Sequence, residues 1–435
     1  MGERIPPSQR TSQRIEEVVR AGTSGEGVKA ELLRLAVRKI VEEALEAEVS
    51  DALGRGYYER GGMDGLGYRN GYRRGRLRTA EGAVEYAAPQ VSDRTAQFRS
   101  RIRELLKGRT EALEALAVEM YARGLSTRDI EASFQDETGR SLLSRTAVSE
   151  VTERLWEEYE AFATRDLSEF EVVYLFVDGV AERLHPGQRR EAVLCAWGIV
   201  ADGKKVLLHL APGTKEDTES CRDFFQDMKR RGLKDPLLGT TDGAPGLIRA
   251  FEECFPWAGR QRCLVHRIRN LEKKVPQPQW PEVRVRAKAC YEAPSREVAK
   301  VLREDFVDRY CTELPAAVKC FEDDFDACVA HLRFPLAHRL AIRTTNLLER
   351  LFEEDRRRTK TIPHAFGERP MVKLMWAAVI RASEKWRGLR MTAFETKQLE
   401  IIRQELDDAH RRRHAPAVTR SEGYIPSRKS IKTRT

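Results

Sequence analysis

The amino-acid sequence predicts a multidomain α/β protein. A mixed five-stranded sheet with helices and an all-α insertion should follow two smaller, mainly helical domains. Three observations lead there. At 435 residues the chain exceeds one compact core, since domains hold about 100–200 residues. From about residue 171, short apolar runs end in turn pairs, and after residue 218 they alternate with helical patterns. Residues 271 to about 338 then carry apolar and aromatic positions with no strand alternation.

The elements follow in order. Residues 1–26 are polar and contain Pro, Ser and Gly, so they read as a flexible leader. From Val28 to Leu53, Leu33, Val37, Ile40, Val41, Ala44, Leu45, Val49 and Leu53 recur at three- and four-residue steps, the stripe of an amphipathic helix. Gly54 suits its C-terminal cap. A Gly-, Tyr- and Arg-rich stretch, Gly54 to Gly75, leads into Arg76 to Gln90, where Leu77, Thr79, Val84 and Tyr86 suggest a hairpin turning at Glu81-Gly82. Leu113, Leu116, Ala117 and Met120 make a helix. Ser126 or Thr127 caps a second one, which Gly139 ends, and Ser144 opens a third that passes Trp156.

Val172 to Val177 is an apolar strand ending in Asp178-Gly179. Ala192–Val200 and Lys205–Leu210 are two more strands, joined at Asp202-Gly203. A helix over Thr218–Arg231 precedes a strand, Pro236–Thr240, that runs into Thr241-Asp242-Gly243. A helix over Pro245–Phe255 and a fifth strand near Arg262–Val265 complete the set. Three antiparallel strands, then helix, strand, helix, strand, helix is the element order of a ribonuclease-H-like fold. Helices over about Thr345–Arg358 and Pro370–Trp386 should rejoin it, with Trp376 in the core. The expected division is a leader (1–26), a helix with a basic hairpin (27–105), a trihelical domain (106–165), the sheet core (170–270 and 339–400), the helical insertion (271–338) and a basic, disordered tail (401–435).

Charge narrows the function. The net charge is +9 and the pI about 9.1, which favours a polyanionic partner such as nucleic acid. No apolar run approaches the ~18 residues that span a bilayer, so no membrane association is expected. Eight dispersed cysteines read as a reduced cytoplasmic protein, not a disulfide scaffold. Two segments look built for DNA. Tyr68 to Arg78 holds Arg69, Arg73, Arg74, Arg76 and Arg78 without an acid, a mixture suited to phosphate contact and stacking. The three helices over 113–156 form a helix-turn-helix pattern, in which Ser144, Arg145, Thr146 and Ser149 would face the groove.

The chemistry should come from carboxylates. Phosphodiester transfer needs an activated hydroxyl and a stabilised leaving oxygen, which two Mg²⁺ ions about 3.5–4 Å apart supply. Mg²⁺ takes hard oxygen ligands and keeps several waters, so a few acids suffice, and Mn²⁺ should substitute. Asp178 and Asp242 each end an apolar strand and precede a glycine, which places both at a sheet rim. Asp-Gly alone is a common turn pair. The third candidate, Glu349, sits in Arg343-Thr344-Thr345-Asn346-Leu347-Leu348-Glu349-Arg350-Leu351-Phe352, where Thr345 or Asn346 caps a helix and Glu349 borders its apolar stripe. Glu353, one turn on, is its rival. Arg356, Arg357, Arg358 and Lys360 extend the helix as a track for DNA phosphates.

With these residues assembled, the chain resembles the Mutator-type transposases of bacterial insertion sequences. The matching segments are Tyr68–Tyr72, Met120–Arg128, Thr241–Leu247, Gln261–Asn270 and Arg343–Arg350, in the family's order. The resemblance implies a DDE transposase with Asp178, Asp242 and Glu349 as catalytic and metal-binding triad. It implies a substrate of paired inverted-repeat DNA ends and places His266 and Arg269, beside the active site, against DNA. Double-stranded DNA at the transposon ends and the target is the expected partner, with a homodimer or higher oligomer on it in the bacterial nucleoid. Cys263-x-x-His266 and Cys328-x-x-His331 repeat a ligand-like spacing, but no knuckle glycine accompanies them, and zinc is not expected. The rival functions are a sequence-specific DNA-binding regulator, as an inactive copy, and a structure-selective nuclease.

Overall fold

A computed structural model describes residues 5–21, 26–59, 67–92, 95, 97–135, 139–182, 184, 190–212, 218–347 and 367–414. The chain divides into two units. One comprises residues 1–164, 183–190 and 350–384, and the other 165–182, 191–349 and 385–435.

The first unit opens with two helices, α1 (Pro7–Arg20) and α2 (Glu26–Leu53). Helix α1 replaces the expected flexible leader. The side chains it buries are Pro7, Ser8 and Thr11, so no apolar stripe announces it. Its anchor is polar: the Thr11 hydroxyl donates to the Glu42 carboxylate at 2.7 Å. Glu42 is 1% exposed and also accepts from Arg38 at 3.0 Å and from the Ala87 backbone N–H at 3.0 Å. One carboxylate thereby joins α1, α2 and the following hairpin. Glu42→Ala strands three donors, two of them at the packed junction, and should cost about 2–3 kcal/mol. A lowered thermal midpoint with α1 protease-sensitive would register it.

Helix α2 ends at Gly54, which adopts a left-handed φ of 61°. Strands β1 (Tyr68–Thr79) and β2 (Gly82–Ser92) form the hairpin, Thr79 pairing with Gly82. β1 starts well before the expected Arg76, because its basic half pairs with β2 out to Tyr68–Ser92. Val41, Leu45, Leu77, Tyr86 and Ala88 make the core beneath. After the short α3 (Arg101–Leu105), helices α4 (Glu111–Ala122), α5 (Thr127–Ser133) and α6 (Arg145–Thr164) enclose Leu113, Ile130, Leu143 and Val148. Ser126 and Asp129 form a capping box on α5.

Within this unit, α15 (Glu368–Ser383) packs on α4 and α6, with Trp376 4.3 Å from Phe162 and Ala377 against Ala122 and Leu155. The expectation that 339–400 belongs throughout to the sheet core is thus corrected. Residues Met371–Val379 are buried without a break, so periodicity cannot say which surface they cover.

The second unit is built on a five-stranded sheet in the order β5-β4-β3-β6-β7. Its strands are β3 (Val172–Glu182), β4 (Glu191–Val200), β5 (Lys205–Pro212), β6 (Leu238–Thr241) and β7 (Gly259–Arg262). β3, β4 and β5 are antiparallel, whereas β6 runs parallel to β3 and β7 parallel to β6. Helices α7 (Thr218–Arg230) and α8 (Pro245–Cys254) cover one face through Phe224, Phe225, Leu247 and Phe251. On β3 and β4, Phe176 stacks on Trp197 at 3.9 Å, and Trp386 lies 5.6 Å from Trp197. Apolar contact along both faces explains why β3 reads as a continuous apolar run. β7 lies three residues earlier than expected: Gly259-Arg260-Gln261-Arg262 has no apolar pattern, and Cys263 caps the next helix.

The expected insertion is helical. It comprises α9 (Leu264–Glu272), α10 (Trp280–Tyr291), α11 (Arg296–Tyr310), α12 (Pro315–Glu322), α13 (Phe325–Cys328), a 3₁₀ turn (Ala330–Arg333) and α14 (Leu336–Ile342). Phe306, Phe321, Tyr291 and Phe325 form its aromatic centre. Cys328 and His331 are core residues, and His331 Nδ1 lies 3.1 Å from the Gln261 side-chain oxygen. The expected disordered tail from residue 401 is corrected in its first part. Helix α16 (Ala393–His414) buries Leu399, Ile402 and Leu406, while Arg420, Arg428 and the rest of the tail lie outside the described residues.

Candidate catalytic site

The site starts from strand register. β3 and β6 are parallel neighbours whose last paired residues are Val177 and Thr241. Asp178 and Asp242 are the next residues on each, so two acids stand side by side on strands about 4.8 Å apart. β6 stops at Thr241 and leaves Asp242 at the rim, whereas β3 does not end at Asp178-Gly179 as expected but continues, paired with β4, to Glu182, so Asp178 sits inside the strand where its β6 neighbour ends.

Asp178 is 3% exposed. Its Oδ1 accepts the Gly179 backbone N–H at 3.0 Å and its Oδ2 accepts the Thr345 hydroxyl at 3.1 Å. Burial raises its carboxyl to about 7; the imidazole of His266 opposes the shift and the charge of Asp242 adds to it. Asp242 is half-buried, and its Oδ1 accepts the Ala244 N–H at 3.1 Å, which turns the chain into α8. Gly243 lies under the Arg262 guanidinium, which Asp323 holds at 3.0 Å. A methyl group there would meet that guanidinium. Gly243→Ala should therefore displace the Asp242 loop, cost about 1–3 kcal/mol, and show as a lower melting midpoint.

A segment that follows α14 closes over the rim. Ile342 O accepts the Thr240 hydroxyl at 2.7 Å, and Arg343 O accepts the Leu264 N–H at 3.0 Å. The Thr345 N–H and hydroxyl both lie 3.4 Å from Cys263 Sγ. Thr345 is fully buried, and the helix it was expected to cap begins at Asn346. Glu349 and its rival Glu353 lie outside the described residues, as do Arg356, Arg357, Arg358 and Lys360. Among the described residues no group of three metal-ligating side chains occurs. The Asp178–Asp242 pair nonetheless fits a divalent cation. It offers hard oxygens, and the raised carboxyl of Asp178 marks a buried negative charge that a cation would relieve.

The other candidates separate by exposure. His266 is half-buried and Arg269 exposed, both on α9. In the first unit, Arg73 and Arg74 are exposed on β1, and Arg76 and Arg78 are half-buried. Arg69 is occupied: its guanidinium contacts Glu46 at 3.3 Å, Ser50 at 2.8 Å and the Gly56 carbonyl at 3.2 Å, tying the hairpin to α2. Ser144, Arg145, Thr146 and Ser149 are exposed at the start of α6, while Ala147 and Val148 are buried. Ser144 caps the helix through the Ala147 N–H at 3.2 Å, and Arg145 pairs with Glu131 at 3.3 Å. The α5–α6 connection, residues 134–144, is longer than the three- or four-residue turn of a compact helix-turn-helix, and Gln135 and Ser141 pair across it.

Sequence reasoning placed Cys263 beside the active site only through the resemblance, and missed Arg262 and the hydroxyl of Thr345 as parts of this site. Their types carry no catalytic signal, and their roles arise from contacts between segments far apart in the chain.

Comparison with known proteins decides the family. A model of the family described as transposase, Mutator family, matches residues 9–388. The chain belongs to that family. The transposase is 32% identical over 356 residues to the transposase for insertion sequence element ISRM5 of Rhizobium meliloti, which covers 81% of this chain and 88% of that one. It is 31% identical to the transposase for IS6120 of Mycolicibacterium smegmatis, over 62% of this chain and 84% of that one. The transposase for IS256 in transposon Tn4001 of Staphylococcus aureus is 29% identical, over 73% and 82%. No helix among the transposase's described residues is long and apolar enough to cross a membrane.

Proposed function

We propose that this transposase cuts DNA at the inverted-repeat ends of its element and joins the freed 3′ hydroxyl to target DNA at the Asp178–Asp242 rim. Glu349 is the third carboxylate. The observation that carries the reading is the side-by-side placement of Asp178, inside β3, and Asp242, just past β6, where the parallel pairing of the two strands stops. Thr345 touches Asp178, and Glu349 follows four residues later. Chain geometry alone keeps its Cα within about 14 Å of Thr345, whatever path the segment takes. The strand order, three antiparallel strands extended by two parallel ones, supports a ribonuclease-H-like core over residues 170–270 with the helical insertion after it.

The three carboxylates would hold Mg²⁺ or Mn²⁺. Such ions activate the attacking oxygen and stabilise the leaving one. The protein's own part is placement. Gly179 and Thr345 hold both oxygens of Asp178, Ala244 holds Asp242, and the sheet keeps β3 and β6 side by side. His266 stands close enough to act on the charge of Asp178 and Arg269 is exposed on the same helix, so α9 would meet the DNA strand at the reacting phosphate. Arg73, Arg74 and the exposed start of α6 would grip the duplex elsewhere, with Arg356, Arg357, Arg358 and Lys360. Joining two ends requires at least two copies on DNA, in the bacterial cytoplasm at the nucleoid.

The test uses purified protein and duplexes taken from the DNA flanking its reading frame. Mg²⁺-dependent nicking at the end and joined products are expected. Binding without cleavage would favour the regulator, and cleavage without joining the structure-selective nuclease.

A further inference from the structure

We infer that Thr345 is a positioning residue for cation binding: its hydroxyl sets the orientation of the Asp178 carboxylate and its link to Cys263 holds the start of the Glu349 segment against the rim. The inference rests on the reading of Asp178 and Asp242 as cation ligands.

Thr345 Oγ1 lies 3.1 Å from Asp178 Oδ2 and 3.4 Å from Cys263 Sγ, yet a hydroxyl carries one proton. With a cation bound, the Asp178 carboxylate is ionised and only accepts, so that proton goes to Asp178. The Cys263 sulfur accepts the Thr345 N–H at 3.4 Å and, at 3.4 Å from Thr345 Oγ1, is the second acceptor within reach of the same hydroxyl. The Cys263 N–H donates to Thr241 O at 2.8 Å, one residue before Asp242. A chain of contacts thus links the backbone beside one acid, through Cys263 and Thr345, to the carboxylate of the other. This hydroxyl is directed to Asp178 and Cys263.

The consequence is a carboxylate with little rotational freedom. The terminal torsion of an aspartate is ordinarily broad. Here Gly179 holds Oδ1 at 3.0 Å and Thr345 holds Oδ2, and each oxygen keeps a second lone pair for a cation. Hydrogen-bond partners of ligating side chains contribute about 10–100-fold to metal affinity.

The experiment measures Mn²⁺ affinity of the full-length protein without DNA, by the electron paramagnetic resonance signal of free Mn²⁺. Metal-free melting controls for folding. Thr345→Val, which keeps shape and loses the hydroxyl, is expected to bind Mn²⁺ about 10–100-fold more weakly. Thr345→Ser should stay within about 3-fold of wild type, and Cys263→Ala should fall between. Cleavage by Thr345→Val should recover as Mn²⁺ is raised. A folded Thr345→Val that binds Mn²⁺ like wild type, while Asp178→Asn binds weakly, overturns the inference. If Asp178→Asn also binds like wild type, the cation reading itself fails. Should Thr345→Val melt below the assay temperature, Cys263→Ala decides: unchanged affinity overturns the inference and weaker binding upholds it.

Discussion

Asp178→Asn and Asp242→Asn are each expected to reduce end cleavage and strand transfer by about 10³-fold or more, with end binding retained. The two side chains follow the last paired residues of adjacent strands, so each amide would stand where its carboxylate stood. What it lacks is charge, and hard divalent ions select anionic oxygen. Folding should survive. At position 178 an amide has one carbonyl oxygen for two donors, Gly179 and Thr345, which costs about 1 kcal/mol. Removing a buried charge that repels Asp242 offsets this. A metal-free melting midpoint within about 4 °C of wild type is therefore expected. Glu349→Gln should match both in activity. Cleavage retained by any one variant would remove that residue from the triad, and Glu353 would be the next to replace.

The second large effect is expected at the seat of the helical insertion. Asp324 adopts a left-handed φ of 61° and receives both guanidinium nitrogens of Arg260 at 2.6 Å. Arg260 lies on β7, beside Arg262, which covers Gly243, and Arg267, which is 2% exposed and pairs with Asp323 at 3.1 Å. This pair of acids therefore joins α12 and α13 to the strand next to the rim. Asp324→Ala loses two charge-assisted bonds and puts a Cβ residue without a polar side chain in the left-handed region. It should cost about 3–5 kcal/mol. Asp324→Gly loses the bonds alone and should be about 1–2 kcal/mol milder. Asp324→Asn keeps the backbone preference and one acceptor, and should be mildest. Denaturant unfolding of the three variants gives the order. Equal losses for Ala and Gly would refute the backbone contribution, and no loss in any would refute the anchoring role.

Much of the sheet was legible because its strands are apolar, although β3 continues to Glu182, past the end that Asp178-Gly179 suggested. Asp178 and Asp242 stood out as acids at the ends of such runs, where burial is costly without a purpose. The polar elements were not legible. Helix α1 buries Ser8 and Thr11, β7 is Gly-Arg-Gln-Arg, and the first half of β1 is an arginine block. Each is held by partners distant in the chain, not by its own periodicity. The helical continuation into α16 was hidden by the charge of its last turns, which outweighs three buried aliphatic side chains.

Local pattern therefore determined the order of elements and the residue types that approach the reacting phosphate, because apolar spacing and turn chemistry act over a few residues. Tertiary structure alone decided which arginines are engaged and which are exposed, that α15 packs on α4 and α6, and that Thr345 and Cys263 reach Asp178. Those outcomes depend on hydrogen bonds and packing between segments far apart in the chain, 167 positions for Thr345 and Asp178, and no window along the chain contains both partners.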